Sequence, residues 1–582
     1  MIILGLSFDY HDAAAALLVD GQVVFAAEEE RYSRLKHDHR LPKRAVQAAL
    51  AHAGLGMAQV DAVVFYEQPM LKFGRIFLAA RAQPNGDAYL QDTLAYWLKQ
   101  GKFSVAARIA TELGVAADRI HFVTHHQSHA ASAFFSSAFE AATVLTIDGI
   151  GEYETASISV GAGNSITQID AMRYPDSIGL FYSAMTAFLG FEVNEGEYKV
   201  MGMAGFGQPV HVDKLRRLVF DEAGAIRLDQ RYFNFATPDS APYTSALIAL
   251  LGAARQAESA FDPADTTDIG AASRAYADIA ASVQRVAEDA IVAYAKMAVE
   301  KTGVRALAMA GGVALNSLAN GRIQRELGMP LYVHPSPGDA GGALGAALYH
   351  HCVTLGLERP APLCNPLLGS QYTQEEVLAA VAKAGIKTFE TFSDNDAYCA
   401  RVADILAQGK VVGWFQGRFE WGPRALGARS ILANPTLPDM KQTINEKIKF
   451  RELFRPFAPA VLAEHAATHF DIPAQSYPQS GPLTPEHFML SVCRVHPDKA
   501  LLIPAVTHVD GTARVQIVSE DNSMFRRLIE HFFALTGIPV VLNTSFNRRG
   551  EPIVATPQDA LQTFFYSGLD CLAMENLIVW KT

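Results

Sequence analysis

One design occurs twice in this chain: an apolar run, a polar turn and two further apolar runs. Residues 2–6, a turn carrying Asp9, His11 and Asp12, residues 13–19, the pair Asp20-Gly21 and residues 22–27 read as strand, turn, strand, hairpin, strand. The second copy runs through 144–147, the turn Asp148-Gly149-Ile150-Gly151-Glu152 and 155–160. Short strands are predicted at 62–66 and 121–124, among amphipathic helices. The clearest helix is 273–301, where Ile279, Val283, Val286, Ala290, Tyr294 and Met297 recur at steps of three and four. It leads to a strand at 306–310 that ends at Gly311-Gly312 before a helical pattern, an order suited to phosphate binding. A third cluster, 337–345, again sets glycine before a helix.

This duplicated plan resembles the actin-like, hexokinase-like (ASKHA) ATP-binding folds, an α/β class in which the two turns face each other across a nucleotide cleft. Glycines at 202–207, 311–316 and 338–345 suit such a cleft, with Gly202, Gly311, Gly312, Asn316 and Gly338 as the nucleotide-binding candidates. Asn316 could contact phosphate, ribose or metal-bound water, or simply cap its helix. After about residue 355 a Pro- and Leu-rich stretch reads as a connector. The expected domains are 1–355, a connector at 356–395, and 396–582, where a helix at 397–408 and a strand at 411–415 precede a region dense in arginine, aromatic residues and proline.

At 582 residues the chain is too long for one core, and half of it is apolar. A net charge of -11 argues against a broad surface for nucleic acid or anionic membrane and favours small-molecule chemistry. Five scattered cysteines without Cys-x-x-Cys read as reduced, buried thiols. No basic leader precedes the first apolar run, and no segment is apolar enough to span a bilayer, so a cytoplasmic protein is expected.

His125 and His129, in His125-His126-Gln127-Ser128-His129, stand one helical turn apart and can present both imidazoles to a divalent metal. Asp148 could complete the set. Asp339 could be a fourth ligand or a helix cap. Two imidazoles and two carboxylates would suit Fe(II), Mn(II) or Zn(II). His11 could act as a general base toward an alcohol, or be a solvent-exposed turn histidine. Farther on, Arg424 and Arg429 in the run 421–430, then Asn445, Lys449, Arg455, His508, Arg514, Asn547 and Arg549 set cations among glycine, proline and aromatic residues. That pattern suits a pocket for a small, highly charged phosphate.

On the runs 125–130, 311–316, 424–433, 455–459 and 543–554 and the turn at Asp148, the chain resembles the NodU/CmcH family of O-carbamoyltransferases, essentially end to end. The resemblance implies an N-terminal domain similar to the tRNA threonylcarbamoyladenosine transferases and an α+β, YrdC-like C-terminal domain. It implies that carbamoyl phosphate and ATP, with Mg(II), give carbamoyl-adenylate in the second domain, and that the carbamoyl group then moves to a hydroxyl of a small molecule in the first. By the same resemblance the metal, Fe(II) first, is held by His125, His129, Asp148 and Asp339. His11 and Lys36 serve the transfer, and Arg424, Lys449, Arg455, Arg514, Asn547 and Arg549 hold carbamoyl phosphate and the adenylate, with Arg424, Lys449 and Arg455 catalytic. Antibiotic or other secondary-metabolite biosynthesis is the implied setting, with no nucleic-acid or membrane partner; a homodimer is compatible. In the loops 68–100 and 229–268, Phe73, Tyr89, Tyr96, Trp97, Tyr232, Phe233 and Tyr243 could shape the acceptor pocket or equally be packing residues. A tRNA-modifying enzyme and a non-catalytic actin-like nucleotide module are the alternatives.

Overall fold

Both copies of the duplicated pattern form strands in the computed structural model, which describes residues 1–82, 86–235, 241–452, 454–473 and 483–581. The first copy comprises β1 (Ile2–Ser7), β2 (Ala14–Val19) and β3 (Gln22–Glu28), followed by β4 (Ala62–Phe65) and β5 (Ile120–Phe122). The second comprises β6 (Ala141–Ile147), β7 (Glu154–Ala162) and β8 (Ser165–Arg173), followed by β9 (Leu307–Ala310) and β10 (Leu331–Val333). Each copy holds antiparallel pairs (β2 with β3; β6 with β7 and β7 with β8) and parallel pairs (β1 with β4 and β4 with β5; β6 with β9 and β9 with β10). The β2–β3 turn uses Asp20 and Gly21, both left-handed at φ 48° and 79°, the backbone that a two-residue hairpin requires.

By its contacts the chain divides into two compact units: Met1–Asp9 with Met57–Arg359, and Tyr10–Gly56 with Pro360–Thr582. Residues 10–56, early in chain order, group by contacts with 360–582, where several of their polar groups find partners. The Arg31 Nη2 donates to the Gly422 carbonyl at 2.8 Å, and the Gly422 amide donates to Glu28 Oε1 at 2.9 Å. Arg34 donates to the carbonyls of Ile553 and Pro552 at 2.7 and 2.9 Å. These are buried or half-buried groups that need partners, and they find them in 360–582. The stretch read as a connector is also structured, with a helix Gln374–Lys383 and a strand Phe389–Thr391.

In the first unit, the helix Asp268–Thr302 starts at a Thr267 cap and stops at Gly303, whose φ of 71° ends it. Its buried stripe includes Ile279, Val283, Val286, Ala290 and Tyr294. Two shorter helices, His125–Ser136 and Asp339–Tyr349, pack so closely that a Cβ on Gly345 would lie 1.8 Å from the Ser128 carbonyl oxygen. A Cβ on Gly5 of β1 would lie 1.9 Å from the Ala343 oxygen. Small residues thus let the second helix nest between the first and a strand.

The second unit is built on an eight-stranded mixed sheet in the order Phe389–Thr391, Leu577–Trp580, Cys571–Met574, Val412–Phe415, Arg429–Ala433, Val540–Ser545, Ala458–Leu462, Gln516–Val518. Alternation puts Val412 and Trp414 in the core on one face and Val411 and Phe415 in the core on the other. All five cysteines are free, four buried and Cys364 exposed. Among the described residues, no helix is long and apolar enough to cross a membrane.

Candidate functional site

The helix His125–Ser136 begins with a capping box in which Thr124 and Gln127 satisfy each other, so the first turn is rigid where the histidines leave it. His125 Nε2 lies 2.7 Å and His129 Nε2 3.2 Å from Asp148 Oδ2, and the two Nε2 atoms are 3.1 Å apart. Asp339 Oδ1 stands 3.7 and 3.8 Å from the same nitrogens. One donor atom from each of the four residues falls within 4.8 Å of the others. Both Nε2 atoms face the carboxylates, while the Nδ1 atoms of His125 and His129 are buried without a protein partner. The donor set of two imidazoles and two carboxylates, nearly dry, fits a divalent transition metal.

Protein charges set the protonation here. Burial pushes His129 down, but its hydrogen bonds to Asp148 and Asp339 outweigh this and lift it to about 9. Burial likewise opposes, and Asp339 and Asp148 produce, a raised His125. Burial would raise Asp148, and the hydrogen bonds from His125 and His129 hold it well below the usual carboxylate range. The neighbouring His126 turns away: it bonds Thr146 Oγ1 and the Glu154 carbonyl, and burial drives it down to about 3.

Two supports escaped the sequence. Tyr66 Oη donates to Asp339 Oδ2 at 3.3 Å, and Glu152 accepts from the backbone amides of His125 and Gln68 at 3.0 and 2.7 Å. The only signal was position: Tyr66 ends a predicted strand, and Glu152 closes the turn that carries Asp148. Of the glycine candidates, Gly311 and Gly312 serve that turn. The Gly312 amide donates to Asp148 Oδ1 at 3.1 Å, and a Cβ on Gly311 would sit 2.2 Å from the Ile147 carbonyl oxygen. Asn316 caps the helix Ser317–Leu327 through the Ala319 amide and accepts from Gln284 Nε2. Gly338 is the N-cap of the helix carrying Asp339, and Gly202 lies within the helix Glu197–Ala204. Phe73 and Trp97 pack against each other and against Phe103, and Phe233 stacks on Phe235, so these aromatics have packing roles. Residues 83–85 and 236–240 of the same loops lie outside the described residues.

In the second unit, Lys449 is buried with its Nζ bonded to the Ser545 carbonyl, to Ser545 Oγ at 3.1 Å and to Asn547 Oδ1 at 2.8 Å. Burial, then Arg451 and Arg455, hold this amine well below its ordinary value. Desolvation and the charges of Arg424, Arg451 and Arg455 do the same to Arg514. Arg424, Lys449, Arg455, Arg514 and Asn547 therefore share one region, to which the structure adds Arg451; Arg549 is exposed. Arg429 has another task. It is fully buried, lies over the Phe415 ring at 3.5 Å, and donates to the carbonyls of Gln416, Ala428 and Gly417.

His11 and Lys36 belong to this unit as well. Lys36 Nζ lies 3.0 and 3.1 Å from the two oxygens of Glu30. Burial opposes, and Glu30 and Asp12 produce, a raised Lys36. Asp12, Glu30 and His37 are close enough to hold a second cation, but the Lys36 ammonium already neutralises Glu30.

Residues 2–348 match the family model described as Carbamoyltransferase N-terminus, and residues 403–581 match the one described as Carbamoyltransferase C-terminus. The chain belongs to the carbamoyltransferase family and is a carbamoyltransferase enzyme. It is 41% identical to "Uncharacterized protein sll1178" of Synechocystis sp. (strain ATCC 27184 / PCC 6803 / Kazusa), over 100% of this chain and 97% of that protein. It is 36% identical to "Nodulation protein NolNO" of Sinorhizobium fredii (strain NBRC 101917 / NGR234), over 98% of this chain and 79% of that one. Among solved structures, component A of the Acidaminococcus fermentans (R)-2-hydroxyglutaryl-CoA dehydratase aligns at 16% identity and a TM-score of 0.32, over 60% of this chain and 97% of that one.

Proposed function

We propose that this enzyme is an ATP-dependent O-carbamoyltransferase of the NodU/CmcH kind, acting on a hydroxyl of a small molecule. In the first half-reaction carbamoyl phosphate, water and ATP give carbamoyl-adenylate, phosphate and pyrophosphate. In the second, the acceptor oxygen attacks the carbamoyl carbon and AMP leaves. The observation that carries the reading is the gathering of Arg424, Arg451, Arg455 and Arg514 about a region that also holds the buried Lys449. Desolvation and like charge are the leading influences on Arg514 and Lys449, and cations held this way call for a polyanion.

Residues of this chain divide the work. Arg424, Arg455 and Arg514 bind phosphate oxygens by their forked donors, with Arg549 at the exposed edge. Lys449 and Asn547, locked together, orient the group that is activated. His11 takes the acceptor proton, and Lys36 offsets charge on the transferable group. A carbamoyl carbonyl is a poor electrophile because its nitrogen donates into it, so the mixed anhydride provides the driving force. The tetrad of His125, His129, Asp148 and Asp339 would hold a divalent ion, Fe(II) by family resemblance, which would supply Lewis-acid stabilisation of phosphate charge. Gly202, Gly311, Gly312, Asn316 and Gly338 lie on the elements that would border the nucleotide.

The test is a pair of half-reaction assays. Carbamoyl phosphate-dependent exchange of labelled pyrophosphate into ATP should be present in the wild type and lost in R455A. H11N should keep the exchange and fail to carbamoylate any acceptor found by a mass-shift screen of hydroxylated metabolites. Equal loss of exchange in both variants would refute this division of labour.

A further inference from the structure

One carboxylate in the second unit touches two imidazoles. His11 Nδ1 lies 3.0 Å from Asp12 Oδ2, and His37 Nδ1 lies 2.7 Å from Asp12 Oδ1. Two of the residues that make this arrangement, Asp12 and His37, are left-handed, at φ 50° and 54°. Non-glycine residues rarely adopt that conformation, and such outliers gather where a site must be held in one geometry. Glu30 fixes the other side, accepting from the His37 amide at 2.8 Å while it pairs with Lys36. His37 Nε2 is buried with no hydrogen-bond partner.

An ionised carboxylate only accepts. Desolvation would raise Asp12, but the bonds from His11 and His37 outweigh it and keep the group well below the ordinary carboxylate range. Both Nδ1 atoms must then carry the hydrogen, and in each neutral ring the proton-accepting nitrogen is Nε2. We propose that Asp12 is a positioning residue for carbamoyl transfer: its two oxygens lock His11 and His37 in the Nδ1–H tautomer, so that His11 presents Nε2 to the acceptor hydroxyl. This rests on reading His11 as the base. The acceptor proton passes to His11 Nε2 and the hydroxyl oxygen forms the bond to the carbamoyl carbon. The bond from that carbon to the AMP phosphate oxygen breaks, with its electron pair leaving on AMP. The imidazolium formed on His11 is then stabilised by Asp12 at its other nitrogen. Glu30, which accepts from the His37 amide, and Lys36, whose ammonium feels Asp12, are charged groups beside the pair.

The substitution D12N tests this because an asparagine offers one acceptor and one donor edge, and can satisfy only one Nδ1–H. In full-length enzyme with nitrogen-labelled histidine, in mildly alkaline buffer, two-bond nitrogen–proton correlation reads the tautomers, with H11N and H37Q used to assign the rings. Both rings should be Nδ1–H in the wild type, and one should convert to Nε2–H in D12N. Carbamoyl phosphate-dependent pyrophosphate exchange should be unchanged in D12N, while AMP release with water as the probe acceptor falls by about a hundredfold or more. An Nε2–H tautomer at either ring of the wild type, tautomers unmoved in D12N, or undiminished AMP release would overturn the proposal. Absence of exchange in the wild type would instead count against the adenylate reading, and the tautomers would still decide the role of Asp12.

Discussion

Asp148 is held on both edges of its carboxylate: Oδ2 faces the imidazoles, and Oδ1 accepts from the amides of Gly149 and Gly312 at 2.8 and 3.1 Å. Both glycines after β9 are needed for that grip. Gly311 has φ 95° and ψ 154°, a region almost closed to side chains, so G311A should cost about 1–3 kcal/mol from backbone conformation alone. A lowered Tm would register it. In G312A the added Cβ would lie 3.0 Å from Asp148 Oδ1; metal retained per chain, read by elemental analysis, should fall with little change in Tm. A pH effect belongs to His487, whose Nδ1 accepts from the Thr484 amide at 3.1 Å. Burial lowers this imidazole from 6.5 to about 4. Its folded pKa is depressed, so its stabilising contribution is complete above pH 6.5 and is lost as pH falls from there through about 4. Wild type should therefore lose up to about 3 kcal/mol over that window that H487Q does not lose, as read by denaturant titration at several pH values. His125 and His129 were legible from helical spacing and Asp148 from its polar turn, whereas Asp339, as well suited to a helix cap, joined them only through the family resemblance. Tyr66 and Glu152 were not legible, since their roles depend on partners remote in the chain.

Among elements, the packing of His125–Ser136 on Asp339–Tyr349 decides whether two histidines from one helix meet an aspartate from the other. Gly345 is a point of close approach, and backbone cannot yield as a flexible side chain would. G345A should force the helices apart, which lowers Tm and weakens metal retention together. That joint loss distinguishes it from G312A, where retention alone suffers. Strands and helices with strong periodicity were legible: the helix expected at 273–301 is Asp268–Thr302, and the strand expected at 306–310 is Leu307–Ala310. β10 was not expected although β5, equally short, was, and the helix Gln374–Lys383 lies inside a stretch whose prolines suggested only a connector. Asn316 shows the other limit. Asparagine before a helix is as well suited to capping as to ligand binding, and geometry assigns it the cap.

At the scale of the whole molecule, chain order and spatial grouping part company at residues 10–56, and no local pattern could announce that. Hydrophobic periodicity identifies a hairpin and a helix but is blind to which distant segment covers them. What joins 10–56 to 360–582 is polar and specific. Arg31 is 1% exposed, lies 3.6 Å from Glu28 and donates to the Gly422 carbonyl. Arg418 returns the favour by donating to the Val24 carbonyl at 2.8 Å, and the Ala26 amide donates to the Leu368 carbonyl at 3.2 Å. Gly422 lies two residues before Arg424, so the grip on its peptide also steadies the loop that carries a phosphate-binding candidate. Removing Arg31 would strand the Glu28 carboxylate, 6% exposed, without its cation. Leaving one member of a buried pair alone costs about 3–5 kcal/mol, so R31A should lower the Tm of the full chain and weaken pyrophosphate exchange, although Arg31 is not one of the cations assigned to phosphate. A fragment of residues 360–582, cut where sequence order suggests, should fail to give a cooperative thermal transition by circular dichroism, because the partners of Gly422, Leu368, Pro552 and Ile553 are gone. Supplying residues 1–56 in trans should restore part of that transition. A cooperative, thermally stable 360–582 fragment would show that the early segment is an accessory to this unit rather than a piece of it.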